Sequence, residues 1–284
     1  MFHVKHAIFI KRIENGSKGC YNYMQQIESE IKIMGKIIAV VNQKGGVGKT
    51  TTCINLSYAL HIRNKKVLLV DCDPQGNSTS GMGGDKSTSP NIYDVIVNGV
   101  RPKDAVVKTR YGSIIPSNLN LSGALIELVG KEGREFILRD ALEKIKSKYD
   151  YIIIDCPPSL ELLTLNALCA ADSIIIPVQC EYFALEGLTD LMNTVKTINR
   201  RLNPRLSIEG IVLTMYDSRT NLSLDVEKEI RKYFEDLVYD SVIPRNVRIS
   251  EAPSHGKPVI AYDRSSKGSS AYLKLANELI KNQK

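Results

Sequence analysis

No apolar run in this chain approaches the roughly 18 residues that a membrane-spanning helix requires. The N-terminal stretch also lacks the apolar h-region of a secretory signal. None of the six cysteines (Cys20, Cys53, Cys72, Cys156, Cys169, Cys180) stands at C-x-x-C spacing from another. Most lie inside apolar patterns, so they read as reduced, buried, small residues of a cytoplasm rather than as metal ligands. The C-terminal run from Ala271 to Lys284 carries Leu273, Leu275, Ala276, Leu279 and Ile280, the spacing of a core helix. It lacks the exposed aromatic-plus-lysine face of a membrane-seeking tail. No internal repeat organises the chain.

What is present is ordinary for a soluble globular protein: 284 residues, 43% hydrophobic and 24% charged. That length allows one α/β domain or two small ones, with ample chain for a core. The net charge of +7 favours an anionic partner, for which a bound nucleotide accounts only in part.

The most informative stretch is Asn42-Gln43-Lys44-Gly45-Gly46-Val47-Gly48-Lys49-Thr50-Thr51. It follows an apolar run, Ile37 to Val41, that reads as a buried strand. Behind it, Ile54, Leu56, Ala59, Leu60 and Ile62 predict a helix from Thr52 to Arg63 packed on a sheet. Strand, glycine-rich turn, Lys-Thr and helix in this order make a phosphate-binding loop. Without Cβ atoms at Gly45, Gly46 and Gly48, the loop's backbone N–H groups can close on an anion. Lys49 is expected to neutralise the β- and γ-phosphates and the Thr50 hydroxyl to ligate Mg²⁺.

The general pattern opens on a glycine where this chain has Gln43, and a second lysine, Lys44, stands at the loop's start. The run Lys-Gly-Gly-Val-Gly-Lys-Thr-Thr resembles the deviant Walker A loop of the ParA/MinD group of ATPases. By residue chemistry alone Lys44 is a solvated charge on an exposed loop. The resemblance implies instead that it reaches across a subunit interface to the partner's nucleotide.

A second strand, Lys66 to Asp71, ends in Asp71-Cys72-Asp73-Pro74-Gln75-Gly76-Asn77. Open parallel sheets bind ligands at the C-terminal edge of their strands. Asp71 is thus placed to hold the Mg²⁺ shell, and Asp73 to orient or deprotonate the attacking water. The alternative is a polar turn capped by aspartate; similarity to the group's Walker A′ and switch I segment favours the functional reading. Tyr149 to Ser159 supplies a further apolar strand ending in Asp155, a Walker B edge whose carboxylate accepts from a Mg²⁺-bound water.

Ser78 to Ser89, rich in Gly, Ser and Thr, reads as a mobile or surface loop. Asn91 to Ile96 and Lys103 to Lys108 read as short helices, Ser113 to Pro116 as a strand, and Leu119 to Val129 and Glu132 to Lys146 as helical. Helix Leu160 to Ala170, strand Ser173 to Val178, helix Ala184 to Arg201 and strand Ile208 to Thr214 follow Asp155. Such alternation predicts βαβ units and a parallel sheet. An amphipathic helix then runs to about Glu235, and Val242 to Pro258 forms a long polar loop of the kind that carries function. Within it, Pro244, Arg245 and Asn246 resemble the group's adenine-side segment. Arg219 and Arg248 fall where chromosomal ParA/Soj proteins carry DNA-contacting arginines, although on residue chemistry alone each is a solvated charge. His255 reads as a loop hydrogen bonder.

From Met34 to about Lys281 the sequence is similar to ParA/Soj chromosome-partitioning ATPases. The resemblance implies an α/β fold over residues 34–284: a single P-loop NTPase domain, a mostly parallel twisted sheet with helices on both faces. It implies ATP and Mg²⁺ as cofactors, with Lys44, Lys49 and Asp73 catalytic. The nucleotide would lie on Lys44 to Thr51 and Pro244 to Asn246, and Thr50 would bind the metal directly, Asp71 and Asp155 through its waters. Also implied are an ATP-dependent homodimer, nonspecific binding of double-stranded DNA through Arg219 and Arg248, and slow hydrolysis stimulated by a ParB-type partner. Location would be cytoplasmic and nucleoid-associated, without stable membrane association. A MinD-like membrane-recruited positioning ATPase, the nearest rival, needs an amphipathic anchor that the C-terminus does not show. A redox ATPase resembling the nitrogenase iron protein needs bridging cysteines, and Cys156 before two prolines does not match its pattern. Metabolic P-loop synthetases of related fold would show a small-molecule-dependent ATPase.

Residues 1–33 look foreign to the rest, and Met34-Gly35-Lys36 offers a second start directly before the first strand. Met1-Phe2-His3-Val4-Lys5-His6 can be encoded by ATG TTT CAC GTG AAA CAT. That string contains TGTTTCACGTGAAACA, an inverted repeat that resembles the centromere-like site recognised by ParB. Translation is therefore expected to begin at Met34, with the leader being partitioning-site DNA read as protein. The gene's codons at Phe2, His3 and Lys5 test this.

Overall fold

The computed structural model describes residues 35–282. The extension 1–33, its reading as partitioning-site DNA and the start at Met34 lie outside the described residues. Strand β1 (Lys36–Val40) leads through the glycine-rich loop into α1 (Lys49–His61), and β2 (Val67–Asp71) is followed by α2 (Asn77–Gly81) and α3 (Ile92–Ile96). Strands β3 (Val107–Thr109) and β4 (Gly112–Ile115) form a hairpin, and α4 (Ala124–Glu127) and α5 (Ile137–Leu142) precede β5 (Tyr151–Asp155). Then come α6 (Leu162–Ala170), β6 (Ser173–Gln179), α7 (Ala184–Arg201), β7 (Ser207–Thr214), α8 (Asn221–Phe234), α9 (Val247–Glu251), α10 (Val259–Tyr262) and α11 (Lys267–Lys281).

The seven strands form one sheet in the order β3-β4-β2-β5-β1-β6-β7. Every neighbouring pair is parallel except β3 and β4. Alternate side chains of the central strands feed two cores. Ile37, Ala39, Leu68, Val70, Ile152 and Ile154 pack with Leu138, Leu168 and Leu191 of α5, α6 and α7 on one face. Ile38, Val40, Leu69 and Ile153 pack with Leu56 of α1 and Leu275 of α11 on the other. Burial on both faces is why these strands read as unbroken apolar runs rather than as alternating ones. The expected α/β architecture, with helices on both faces, is the one observed.

Helix α7 matches the expected Ala184 to Arg201, and buries the stripe Ala184, Leu188, Leu191, Met192, Val195, Ile198 that a 3.6-residue period dictates. Three expectations fail. Ser78 to Ser89 is not simply a mobile or surface loop: α2 occupies its start, and Ser78 and Thr79 are fully buried. Lys103 to Lys108 is not a helix; only a single turn at Pro102–Asp104 is helical, and Val107–Thr109 adds an edge strand by pairing with β4. The stretch Val242 to Pro258 is more structured than a loop, holding α9 and a 3₁₀ turn at Ala252–His255. Among the described residues no helix is long and apolar enough to cross a membrane. Cys53, Cys72, Cys156, Cys169 and Cys180 are free and buried, as their apolar surroundings imply.

Candidate nucleotide site

Strand β1 stops at Val40 because the next residues turn away from the ladder. Asn42 donates from its side-chain amide to the Pro177 carbonyl at 2.8 Å and accepts from the Lys44 N–H at 3.0 Å, which fixes the loop's entry between β1 and β6. Gly46 and Gly48 then adopt the left-handed conformation, φ 75° and 93°, that a Cβ would strain. A Cβ at Gly45 or Gly46 would project into open space, where a phosphate would approach. Gly48 is the N-cap of α1, whose unpartnered N–H groups and dipole face the loop.

Lys49 is 7% exposed and donates to the Lys44 carbonyl at 3.0 Å, so its ammonium is held inside the loop it closes. Burial lowers its pKa, opposed chiefly by the charge of Asp155. Thr50 and Thr51 follow on the first turn of α1, partly exposed. The Lys44 side chain points the other way, toward the loop after β6, where its ammonium pairs with Glu181.

Asp71 and Asp155 end adjacent strands in register, both fully buried. Asp155 accepts from the Ser78 hydroxyl at 2.7 Å and from the Cys53 thiol at 3.5 Å, with the Thr50 hydroxyl close by. Burial pushes its carboxyl up to about 6 against the pull of the Ser78 and Thr50 hydroxyls. Asp71 is more heavily engaged: one oxygen accepts the Asp73 N–H at 3.2 Å, the other the N–H and hydroxyl of Thr79, each at 2.7 Å. Burial and the neighbouring Asp155 push it up to about 8. Asp73, 8% exposed, accepts the Gln75 N–H at 2.9 Å and sits near enough to Lys49 for its charge to raise that ammonium's pKa. The loop, Asp155, Asp71 and Asp73 thus share one end of the sheet.

Strand β7 ties in the remaining expected segment. Thr214 donates its hydroxyl to the Val47 carbonyl at 2.8 Å, inside the loop. Two residues on, Tyr216 bridges to Pro244, and its carbonyl accepts the Arg245 N–H at 3.0 Å. Asn246 caps α9 by accepting the Arg248 N–H at 3.1 Å. Pro244 to Asn246 therefore hang from the strand that touches the loop. Arg219 is 86% exposed and bidentate to Asp217 at 2.8 and 2.7 Å. Arg248 is 51% exposed and pairs with Glu251 and Asp263. No direct contact joins either arginine to the loop. His255 stacks on Tyr262 with ring centroids 4.9 Å apart.

Glu181, Thr214, Ser78 and Thr79 were not foreseen. Glu181 and Thr214 carry a legible signal, since both lie at the C-terminal ends of strands beside the loop. Ser78 and Thr79 carry none.

The donors fit a magnesium nucleotide. The Thr50 hydroxyl and the Asp155 carboxylate are hard oxygen donors of the kind Mg²⁺ takes. Among the described residues no three His, Cys, Asp or Glu side chains gather as an all-protein metal cage.

A family model described as an AAA domain matches residues 35–208. The chain is 57% identical over 252 residues to the sporulation initiation inhibitor protein Soj of Bacillus subtilis (strain 168), covering 88% of this chain and 100% of that protein. It is 53% identical over 254 residues to the chromosome partitioning protein ParA of Caulobacter vibrioides (strain NA1000 / CB15N), covering 88% and 95%. Among solved structures, a cobyrinic acid a,c-diamide synthase from Mycobacterium smegmatis with bound ADP and magnesium is 39% identical with a TM-score of 0.77, over 88% of this chain and 96% of that one. Identity above one half, across nearly the full length of partitioning proteins, exceeds the likeness to the synthase. The chain belongs to the ParA/Soj family of chromosome-partitioning ATPases.

Proposed function

We propose that this protein is a Mg²⁺-dependent ATPase of DNA partitioning whose triphosphate joins two copies into a sandwich dimer. The dimer binds double-stranded DNA without sequence preference, turns ATP over slowly, and is stimulated by a ParB-type centromere-binding partner. It would act in the cytoplasm on the nucleoid. The observation that carries this reading is the division of labour between two lysines on one loop. Lys49 is buried and turned inward, whereas Lys44 is half-exposed and turned outward.

ATP would lie along the N–H groups of Gly45 to Thr51, its adenine against Pro244 to Asn246. Lys49 would swing from the Lys44 carbonyl onto the β- and γ-phosphates. Mg²⁺, when bound, supplies charge neutralisation between those phosphates. Thr50 would hold it, and Asp155 would orient its bound water. Asp73 would place and deprotonate the attacking water. Phosphoryl transfer depends chiefly on positioning and charge, so these groups sustain slow turnover. A transition-state charge supplied in trans is worth on the order of 10³-fold or more in related ATPases, which leaves room for a stimulating partner. Lys44, directed away from its own loop, would meet the other subunit's phosphates. ATP then favours the dimer through contacts that ADP supplies incompletely.

DNA co-sedimentation with ATP, ADP and no nucleotide, for the wild type and Lys44→Ala, tests the reading. Binding should require ATP in the wild type and vanish in the variant. Equal binding in all three nucleotide states overturns it.

A further inference from the structure

The loop that carries Asp73 is closed at its base by a single carboxylate. Asp71 accepts the N–H of Asp73 on one oxygen and both donors of Thr79 on the other, so it grips the segment 73–79 at both ends. The Thr79 hydroxyl also accepts the Ser117 N–H at 2.9 Å, which ties the same point to the end of β4. Next to it, Ser78 donates to Asp155 at 2.7 Å. Two consecutive hydroxyls of α2, both fully buried, thus hold the two carboxylates that end β2 and β5.

Local preference does not explain α2. Its sequence is Asn-Ser-Thr-Ser-Gly, whose polar side chains compete with helical backbone bonds, and its N-cap, Gly76, has no side chain with which to cap it. Burial of two hydroxyls is tolerated because each is matched to a carboxylate oxygen. The helix is where it is because of Asp71 and Asp155.

We propose that Ser78 and Thr79 are positioning residues for ATP hydrolysis: Thr79 clamps the base of the Asp73 loop, and Ser78 links that loop to Asp155. The proposal rests on the reading of Asp73 and Asp155 as hydrolytic groups. Through α2, the place where the attacking water is held becomes rigidly connected to the place where the metal's water is held. A displacement of about 1 Å at such a point can cost on the order of 10²-fold in rate.

The test compares Thr79→Val, Thr79→Ser, Ser78→Ala and Asp73→Ala in the full chain. It measures steady-state ATP hydrolysis, and separately the affinity for a non-hydrolysable ATP analogue with Mg²⁺. Valine keeps the shape of threonine and the backbone N–H bond to Asp71, but its side chain neither donates to Asp71 nor accepts from Ser117. Thr79→Val should lower kcat by roughly 10²-fold with analogue affinity within about threefold of wild type, and Thr79→Ser should restore kcat to within about threefold. Ser78→Ala should lower kcat by about tenfold and raise the Mg²⁺ concentration at half-maximal rate, since Asp155 loses the hydroxyl that orients it. Unchanged kcat in Thr79→Val overturns the proposal. So does a serine variant as slow as the valine variant, or a loss of rate matched by an equal loss of affinity. Should Thr79→Val fail to fold, Ser78→Ala decides, and an unaltered rate and Mg²⁺ requirement there refutes the link to Asp155. Asp73→Ala separates the two levels: if it leaves hydrolysis intact, the underlying reading falls, whereas inactive Asp73→Ala beside fully active Thr79→Val sinks the clamp alone.

Discussion

Lys44 and Glu181 form an ion pair within a single chain, the ammonium of the loop's first lysine resting on a carboxylate just beyond β6. Under the proposed function this lysine serves another subunit, and here it is occupied at home. On that reading Glu181 would compete for it with an incoming phosphate.

Glu181→Gln should therefore ease assembly. The two side chains are 46% and 32% exposed, and a pair of that exposure is worth at most about 1 kcal/mol, so freeing Lys44 should lower the ATP-dependent dimer dissociation constant by up to about fivefold for each lysine released. Lys44→Ala should abolish the dimer yet still bind ATP. Sedimentation velocity with a non-hydrolysable analogue reads both; a wild-type constant for Glu181→Gln contradicts the competition.

Arg219 and Arg248 should carry DNA binding together. If each neutralises one phosphate, a dimer presents about four contacts and a log–log salt slope near −3.6, against about −1.8 for a single copy. The double change to Ala should remove DNA binding while ATP-dependent dimers persist. Asp217 holds Arg219 so firmly that its own carboxyl is pulled down to about 2. Asp217→Asn should accordingly strengthen DNA binding at low salt, by a few-fold on the scale of an exposed pair. Fluorescence anisotropy across a salt series distinguishes these outcomes, and undiminished affinity in the double variant contradicts the assignment.

Thr50→Ala should uncouple the nucleotide from the metal. Wild-type affinity for ATP should fall when Mg²⁺ is chelated, whereas the variant should bind about equally with and without it. Calorimetric titration in EDTA and in Mg²⁺ measures the difference. A variant that retains the full Mg²⁺ effect shows that the metal is held elsewhere.

The paired carboxylates predict a pH dependence of stability. Burial raises Asp155 to about 6 and Asp71 to about 8, so between about pH 4 and 8 the native chain retains protons that the unfolded chain has released. Stability from a raised acid is complete below its unfolded pKa and is lost as pH rises through the folded one. The nucleotide-free protein should thus lose stability from this pair across that window, and Asp71→Asn should flatten the slope. Urea denaturation at several pH values compares the two chains; parallel curves exclude the effect.

Much of the molecule was legible in its sequence, for reasons that particular residues make plain. Strands buried on both faces cannot alternate, so Ile37 to Val41 and Tyr151 to Asp155 announce themselves. The stripe of α7 is equally clear, since one side of it meets the sheet. Helix α2 was invisible because nothing local favours it: its hydroxyls are recruited by Asp71 and Asp155. Edge strand β3 was missed because none of its three residues is fully buried, Lys108 being exposed, and they owe their conformation to pairing with β4. Lys44 was prominent in the sequence, but its partner Glu181 lies on a different crossover, and only the parallel arrangement of β1 beside β6 brings the two together.

The hydrogen bond from Thr214 to the Val47 carbonyl has a mechanical corollary. Just past that contact the backbone reaches Asp217 and Arg219, and through Tyr216 it also braces Arg245. The terminus of β7 is thus a fulcrum. A shift of the glycine loop would therefore reach Arg219, a guanidinium standing out in solvent, along the short stretch of chain from Thr214.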